Sequence, residues 1–508
     1  MNRDSLRRDE RAPSRTPAAL RGAGFASLLG LALLGGCAVG PDVTPTDVTL
    51  PARWHGAGHA RPTTAAVLGE WWRDLRDPLL DDLVAAAVDG NLDVKTAAAK
   101  IREARAGRRQ AVAGLLPTLD GSASGMRRQT VASGSPVVGS LFQAGLDAGW
   151  EVDLFGANAR AAEAADRGVE AGAADLDAVL LTLVGDVAAN YAELRGYQAR
   201  IDLARRTARS QRETAALTRT RFEAGSASAV DTAKAEAAAA TTEAGIPTLV
   251  IAEAETVHRL SVLTGREPGA LAETLRKGGR IPMPRRALPA GVPADVLRNR
   301  PDVRAAERRV AQYTAKLAAS EAALYPSISL TGSISTSAVR PGDLAKASTI
   351  AWSWGPTVTV PIFEGGRLIA ARDGAAAVRD EYLLAWRSTV LSALEDVENA
   401  LVASAEDKKR SGRLASAAAS YRRAAELSRS LYKSGSASFL DVLDAERSLY
   451  SAEDSAIQSR VAVVTDHIAL AKALGGGWVR PVATDRPEVI DAETGPRLRL
   501  APAIASAR

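Results

Sequence analysis

Hydrophobic residues follow two spacings along this chain of 508 residues, and each spacing predicts one kind of element. In the first kind, apolar and polar residues alternate, which is typical of a β-strand with one apolar and one polar face. The segment 327–335, for example, alternates isoleucine and leucine with hydroxyl residues. The pattern predicts four strands, and the first of them is weaker because glycine and serine dilute it: 117–127, 146–154, 327–335 and 350–362.

These four strands allow two interpretations. They form either a half-buried sheet of a soluble domain, with Trp150, Trp352 and Trp354 as ordinary core, or part of a transmembrane barrel, with these tryptophans at the membrane interface. Asp147 and Glu151 lie opposite Trp150 and indicate a wet polar face. A membrane barrel needs about eight strands and no open edge, so several chains would have to share one. Two chains would give eight strands and a filled interior, whereas three would give twelve strands and a passage.

The second spacing is helical. Residues 157–224 and 367–433 contain no proline, and their apolar residues recur at intervals of three and four, which alternate in the second segment. This spacing predicts two coiled helices, each about 100 Å long at 1.5 Å per residue. Shorter partner helices are expected over 230–263 and 440–474, and Pro247 is expected to kink or break the first of these.

The chain is similar to itself at a distance of about 210 residues. Residues 221–237 (RFEAGSASAVDTAKAEA) align with residues 431–447 (LYKSGSASFLDVLDAER). This spacing is too long for a solenoid and predicts a duplicated domain. The expected organisation is a signal peptide (1–36), a mature N-terminal segment (37–74), a first repeat (75–264), a linker (265–293), a second repeat (294–475) and an irregular tail (476–508).

Composition excludes several classes of protein. One cysteine and four scattered histidines cannot build a structural zinc site or a disulfide framework, and no metal site is expected. Residues 1–36 hold six arginines and three acids, so the net charge of +5 leaves only about +2 for the rest and no reason to expect nucleic acid. No catalytic triad, phosphate loop or defensible pair of carboxylates is present. We therefore expect a protein that is not an enzyme.

The lone cysteine, Cys37, follows a short apolar run, Gly24–Gly35. It is the last residue of the sequence LGGC. A run of this length is typical of a signal-peptide core and is too short to span a membrane. Small residues before a cysteine favour cleavage by a lipoprotein signal peptidase. We therefore expect diacylglycerol and an N-acyl chain on Cys37, with no other cofactor. The alternative is a plain signal peptide followed by an incidental cysteine.

Four motifs, in this order and at this spacing, resemble the TolC-like outer membrane efflux family, specifically its lipoprotein branch of NodT type. CAVGPD with the later Trp54 resembles the mature N-terminus of that branch, and Trp71–Ala106 resembles its first helical segment. NRPDVRAAE (299–307) resembles the matching stretch of the second half, and GSASFLDVLDAE (435–446) resembles the periplasmic helical tip. The resemblance covers nearly the whole mature chain.

The resemblance implies a mainly α-helical fold with a transmembrane β-barrel, built from a duplicated half. It implies a homotrimer in which a shared barrel of twelve strands continues into a periplasmic helical tunnel. It also implies an outer membrane location, with a periplasmic adaptor and an inner-membrane pump of the RND type as partners. Substrates would be small molecules delivered by that pump.

The resemblance also implies roles for residues near the two GSAS turns. Asp441, Asp444, Asp231 and Tyr432 would belong to the periplasmic gate, although an arginine often found two residues after the tip glycine is replaced by Ala437. The alternative is structural, because Ser438 with Asp441, and Ser228 with Asp231, have the spacing of a capping box at a helix start. The turns themselves either reverse the chain or contact the adaptor through four residues: Gly225, Ser226, Gly435 and Ser436.

Two functions compete with an export duct. A lipid-anchored coiled-coil spacer of the cell envelope would explain the helices, but it has no use for amphipathic strands. A surface-anchored hydrolase would need a catalytic cluster that the sequence does not contain. The alternating strands therefore favour the duct.

Overall fold

The computed structural model describes residues 39–42, 50–55, 68–478 and 481–486, and is mainly helical. The signal peptide, Cys37 and most of the tail lie outside the described residues. The helices and strands are α1 Pro78–Gly90, α2 Leu92–Ala113, β1 Thr118–Ala132, β2 Ser135–Val152, α3 Ala157–Glu223, α4 Ala229–Leu263, α5 Ala272–Leu275, α6 Pro293–Asn299, α7 Pro301–Ala322, β3 Ser327–Ala338, β4 Ile350–Thr359, α8 Arg367–Lys433 and α9 Phe439–Ala473, with 3-10 turns at Trp71–Leu75, Pro341–Asp343 and Ala347–Thr349.

The chain divides into two compact units. The strand unit comprises 1–43, 109–164 and 313–379, and the helical unit comprises 44–108, 165–312 and 380–508. In the strand unit, four antiparallel strands form one sheet in the order β1-β2-β3-β4. The predicted existence of four strands is thus confirmed, and β1 and β4 are the two edges of the sheet.

The first two strands are longer than the sequence pattern predicts. Ser133 and Gly134 both have positive φ, at 51° and 81°, and connect β1 to β2 as a two-residue hairpin turn. Such a turn matches the right-handed twist of paired strands and extends the ladder to Ala132 and Ser135. At its other end β2 stops at Val152, and β4 stops at Thr359, so the last residues of the two alternating patterns lie beyond the strands.

The two long helices agree with the predicted bounds to within one residue. Each contains 67 residues, and each is followed after a short turn by a partner of 35 residues. Pro247 is predicted to kink or break α4; the break is wrong, because α4 runs as one helix through that proline, and the kink stays a prediction. Proline removes one backbone donor, and neighbours that pack beside a helix offset such a local loss. Within the described residues, no helix combines the length and apolar composition needed to cross a membrane.

The helical unit contains two large hydrophobic clusters and a small one near the helix turns. The largest packs α1 and α2 against the middle of α3, around Trp72, Leu180 and Tyr191. The second surrounds Trp386 and Val390 of α8. The small cluster lies where α8 turns into α9, and its members are Ala215, Ala235, Tyr432, Phe439 and Val442.

Candidate functional site

The sheet has one polar and one apolar face over its full width. The register places Asp120, Asp147, Ser333 and Ser353 in one row across all four strands, and the hydroxyls of Ser333 and Ser353 lie 3.0 Å apart. Because side chains alternate along a strand, neighbouring rows on this face hold only small or polar residues at the aligned positions. Those rows are Thr118–Gly149–Thr331–Gly355 and Ser122–Gly145–Ser335–Ala351.

The opposite face is apolar and exposed within the chain. Leu146, Ile334 and Trp352 share one row. Trp352 and Trp354 expose 71% and 73% of their surface, which rules out a place for them in the core of the described chain. An apolar surface of this kind marks a contact with lipid or with another chain.

Both helix turns have the same construction. Gly225 and Gly435 take positive φ, at 72° and 79°, where a side chain would strain the backbone. The amides of Ser226 and Ser436 then donate to carbonyls five residues earlier, which closes the C-termini of α3 and α8. These four residues are exposed.

The capping boxes predicted after the turns are present. Ser228 and Asp231 exchange hydrogen bonds at the start of α4, and Ser438 and Asp441 do so at the start of α9. Hydrogen bonds from the side chain and backbone of Ser438 lower the pKa of Asp441. Asp444 is exposed and makes no hydrogen bond or ion pair within the described residues. A structural role therefore explains Asp441 and Asp231, but not Asp444.

Tyr432 lies apart from the acids. Its ring is buried against Phe439, and its hydroxyl lies 3.2 Å from the hydroxyl of Thr218. The guanidinium of Arg221 stacks over the ring at 4.3 Å and also donates to the carbonyl of Lys433 at 3.0 Å. These contacts hold the end of α3 against the end of α8. Motif reasoning missed Thr218 and Arg221.

A second group that the sequence did not reveal is a pair of equivalent ion pairs. Arg429 Nε donates to Glu446 at 2.7 Å, and Thr214 donates to the same carboxylate at 3.1 Å. Glu446 is buried. In the first hairpin, Arg219 pairs with Glu236 at 3.2 Å, and both pairs join residues 17 positions apart. The signal was the glutamate repeated at 236 and 446, whose arginine partner recurs at the same spacing.

The comparisons with known proteins agree with this geometry. The family model for outer membrane efflux protein matches two segments, residues 83–266 and 292–476. The chain belongs to the outer membrane efflux protein family. Nodulation protein T of Rhizobium leguminosarum bv. trifolii is 35% identical over 459 residues, which cover 89% of this chain and 96% of the relative.

Two further relatives describe the activity of the family. The solvent efflux pump outer membrane protein SrpC of Pseudomonas putida is 31% identical over 464 residues, covering 89% of this chain and 97% of SrpC. The solved structure of the outer-membrane channel OprN is 34% identical, covers 87% of this chain and all of the OprN chain, and superposes with a TM-score of 0.82. The protein is an outer membrane efflux channel.

Among the residues described, no group of three His, Cys, Asp or Glu side chains is arranged to hold a metal ion.

Proposed function

We propose that three copies of the chain share one barrel of twelve strands, which continues into a helical tunnel and forms a passive export duct. The single observation that supports this most is the four-stranded sheet of the described residues, which has one polar face across all four strands and unpaired edges at β1 and β4. Unpaired backbone groups are not tolerated in hydrocarbon, so each edge must pair with a neighbouring copy. Closure then places the polar faces inward, around water.

A lipid on Cys37 fits this arrangement. The backbone amide of Val39 donates to the carbonyl of Phe155 at 3.2 Å, three residues after the end of β2. Cys37 precedes Val39 by two residues, a distance of at most about 7 Å along an extended chain. An acyl group on Cys37 would enter the same membrane as the proposed barrel. Several acyl chains anchor a protein firmly.

We infer that each chain consists of two similar halves that arose by duplication. The family model matches two segments of nearly equal length. The equivalent ion pairs of the two hairpins, and the equivalent turns at Gly225 and Gly435, also support a duplication.

The partners that we propose are a periplasmic adaptor and an inner-membrane pump of the RND type, which supplies the energy and loads small molecules. The helix turns are suited to contact the adaptor, because four residues of these turns are exposed: Gly225, Ser226, Gly435 and Ser436. Their backbone amides already donate hydrogen bonds to carbonyls of the preceding helix. A partner would therefore meet a preformed surface and would not have to order it.

For the gate, we propose that Asp441 and Asp444 approach the threefold axis, with Asp231 nearby. Six carboxylates near one axis would repel each other and attract cations. The closed state would then be held by packing around Tyr432 and its contacts with Thr218 and Arg221. The acids would select the ion and would not hold the helices together.

A planar-bilayer recording tests the duct and the gate together. The wild-type protein should open stable pores that prefer cations and are blocked by a trivalent cation from the periplasmic side. Asp444→Asn, which disturbs no cap, should weaken both properties without loss of thermal stability, and Asp441→Asn combined with it should abolish them. A lipid-anchored spacer would give no pores at all. Pores with unchanged selectivity and block in the double variant would leave the acids as ordinary residues of a helix start.

A further inference from the structure

Four arginines from distant parts of the sequence converge on one groove of the helical unit. Arg206 comes from α3, Arg280 from the loop after α5, Arg422 from α8 and Arg460 from α9, and together they line a cavity of about 820 Å³. Its floor is apolar and small, formed by residues such as Leu203, Ala418 and Ile457. A volume of this size is within the range of sites for small ligands.

Most of this positive charge has no partner in the part of the chain that the structure describes. Arg422 pairs with Glu453, whose Oε1 accepts from Nε at 3.0 Å. Within the described residues, Arg206, Arg280 and Arg460 make no ion pair and no side-chain hydrogen bond. Among the described residues, the acids that line the groove are Asp202 and Glu453, so the four arginines leave an excess of two positive charges there.

The groove is preorganised. The buried Arg195 donates to the carbonyl of Lys277 at 2.8 Å, and the buried Gln198 donates to the carbonyl of Leu275 at 2.9 Å, which fixes the loop that carries Arg280. A Cβ on Gly279 would lie 3.0 Å from the guanidinium carbon of Arg195, so a side chain there would require Arg195 to shift by a few tenths of an ångström. Beside the groove, Arg200 and Asp454 tie α3 to α9 through two hydrogen bonds, of 2.6 and 3.2 Å.

The described end of this chain does not supply the missing acid. Asp485 pairs with Arg105 of α2, and the neighbouring Arg108 of the same helix pairs with Asp166 of α3. Asp202 in the groove is 36 residues further along α3, which at 1.5 Å per residue places the groove roughly 50 Å away. Within the described residues, no acid of this segment therefore neutralises the excess charge of the groove.

We propose that this groove binds a multivalent organic anion that carries phosphate or carboxylate groups. Planar guanidinium groups favour such oxygens, because two N–H donors of one arginine can bind them together. An anion in the groove bridges α3, α8, α9 and the loop at Arg280, and it removes the repulsion among the three unpaired arginines. Its binding therefore stabilises the packing of the three helices. The inference does not depend on the trimeric barrel or on the gate.

Calorimetric titration of the full-length protein in maltoside detergent at low salt tests this proposal, with tripolyphosphate in one arm and citrate in the other. We expect saturable binding of at least one probe, weaker binding at physiological salt and a rise in melting temperature. The probe that binds more tightly distinguishes phosphate from carboxylate as the preferred group. Binding of neither probe would overturn the proposal.

The matched variants are Arg206→Gln with Arg460→Gln, which line the groove, and Arg205→Gln with Arg209→Gln, which lie on α3 outside its lining; all four arginines are exposed. The two double variants lose the same charge. The groove variant should lose about 100-fold in affinity, at about tenfold for each charge-assisted contact. The surface variant should bind within about threefold of wild type. Equal losses in both variants would show nonspecific attraction and contradict a built site, and unchanged helical circular dichroism would exclude unfolding as the cause.

Discussion

Neighbouring residues of β3 provide a direct test of which face of the sheet meets lipid. Ile334 lies on the apolar face, between Leu146 and Trp352, and Ser333 lies on the polar face, between Asp147 and Ser353. We expect Ile334→Arg to prevent assembly and Ser333→Arg to be tolerated. The two variants place the same residue one position apart, so they differ in the face and hardly in depth.

The magnitude follows from the environment of each side chain. An arginine on the lipid face near the bilayer centre costs about 2–4 kcal/mol, and three copies would add this cost three times in one barrel. At about 1.4 kcal/mol per factor of ten, even the lower value reduces the assembled fraction roughly 30-fold for each chain. An arginine at 333 would meet water and the carboxylate of Asp147, where we expect a change below about 1 kcal/mol.

The assay is the yield of the oligomer in outer-membrane extracts from cells that express equal amounts of each variant, followed by bilayer recording. Ser333→Arg should give near wild-type yield with altered conductance, because its side chain enters the pore. Ile334→Arg should give little assembled protein. Equal yields, or greater damage from Ser333→Arg, would refute the assignment of the two faces.

Three further predictions concern separate parts of the chain. Cys37→Ser should abolish incorporation of labelled palmitate and leave the precursor uncleaved at that site, and continued labelling would contradict the anchor. Burial raises the pKa of Asp177 from 3.8 to about 6, so the folded state binds more protons than the unfolded state between these values; stability should fall as pH rises through this window, and Asp177→Asn should flatten that slope in thermal unfolding. Arg429→Met removes the ion-pair partner of the buried carboxylate of Glu446. We expect this to lower the free energy of unfolding by about 2 kcal/mol, a value discounted because the arginine is partly exposed. The loss corresponds to roughly 30-fold faster amide exchange at the α8–α9 turn. The control is the exposed ion pair between Lys409 and Glu406, and Lys409→Met should change amide exchange around that pair by less than about twofold. Equal effects of the two variants would argue against a special role for the buried pair.

The long helices could be predicted almost to the residue because their signals are local. Apolar residues recur at helical spacing, no proline interrupts α3 or α8, and Gly225 and Gly435 mark where each helix ends. Pro247 shows the limit of local reasoning. The sequence indicates a missing donor, but α4 continues through the exposed Pro247 as one helix.

The strand β1 was difficult to predict because its own sequence is diluted with glycine and serine. Its length is set by pairing with β2, residue for residue from Thr118–Gly149 to Ala132–Ser135. Such pairing depends on the partner strand, and alternation within one segment does not reveal it. The alternation of β3 was clear because Ile328, Leu330 and Ile334 lie on one face. On the other face, every position from 327 to 337 is serine or threonine.

The contacts near the helix turns were only partly accessible. The capping boxes follow from a spacing of three residues and are present. The partners of Tyr432 do not follow from spacing, because Thr218 and Arg221 are more than 200 residues away on another helix. The arginine groove was missed for the same reason, since its four arginines form no motif in sequence and converge only when α3, α8 and α9 pack together.

The central claim is that three chains share one duct, and the mass of the purified protein tests it most directly. Light scattering with the detergent contribution subtracted should give three chain masses for the wild-type protein. Ile334→Arg serves as a control that should shift the protein away from this species. A stable mass of one chain, or of two, in the wild-type protein would contradict a barrel of twelve strands.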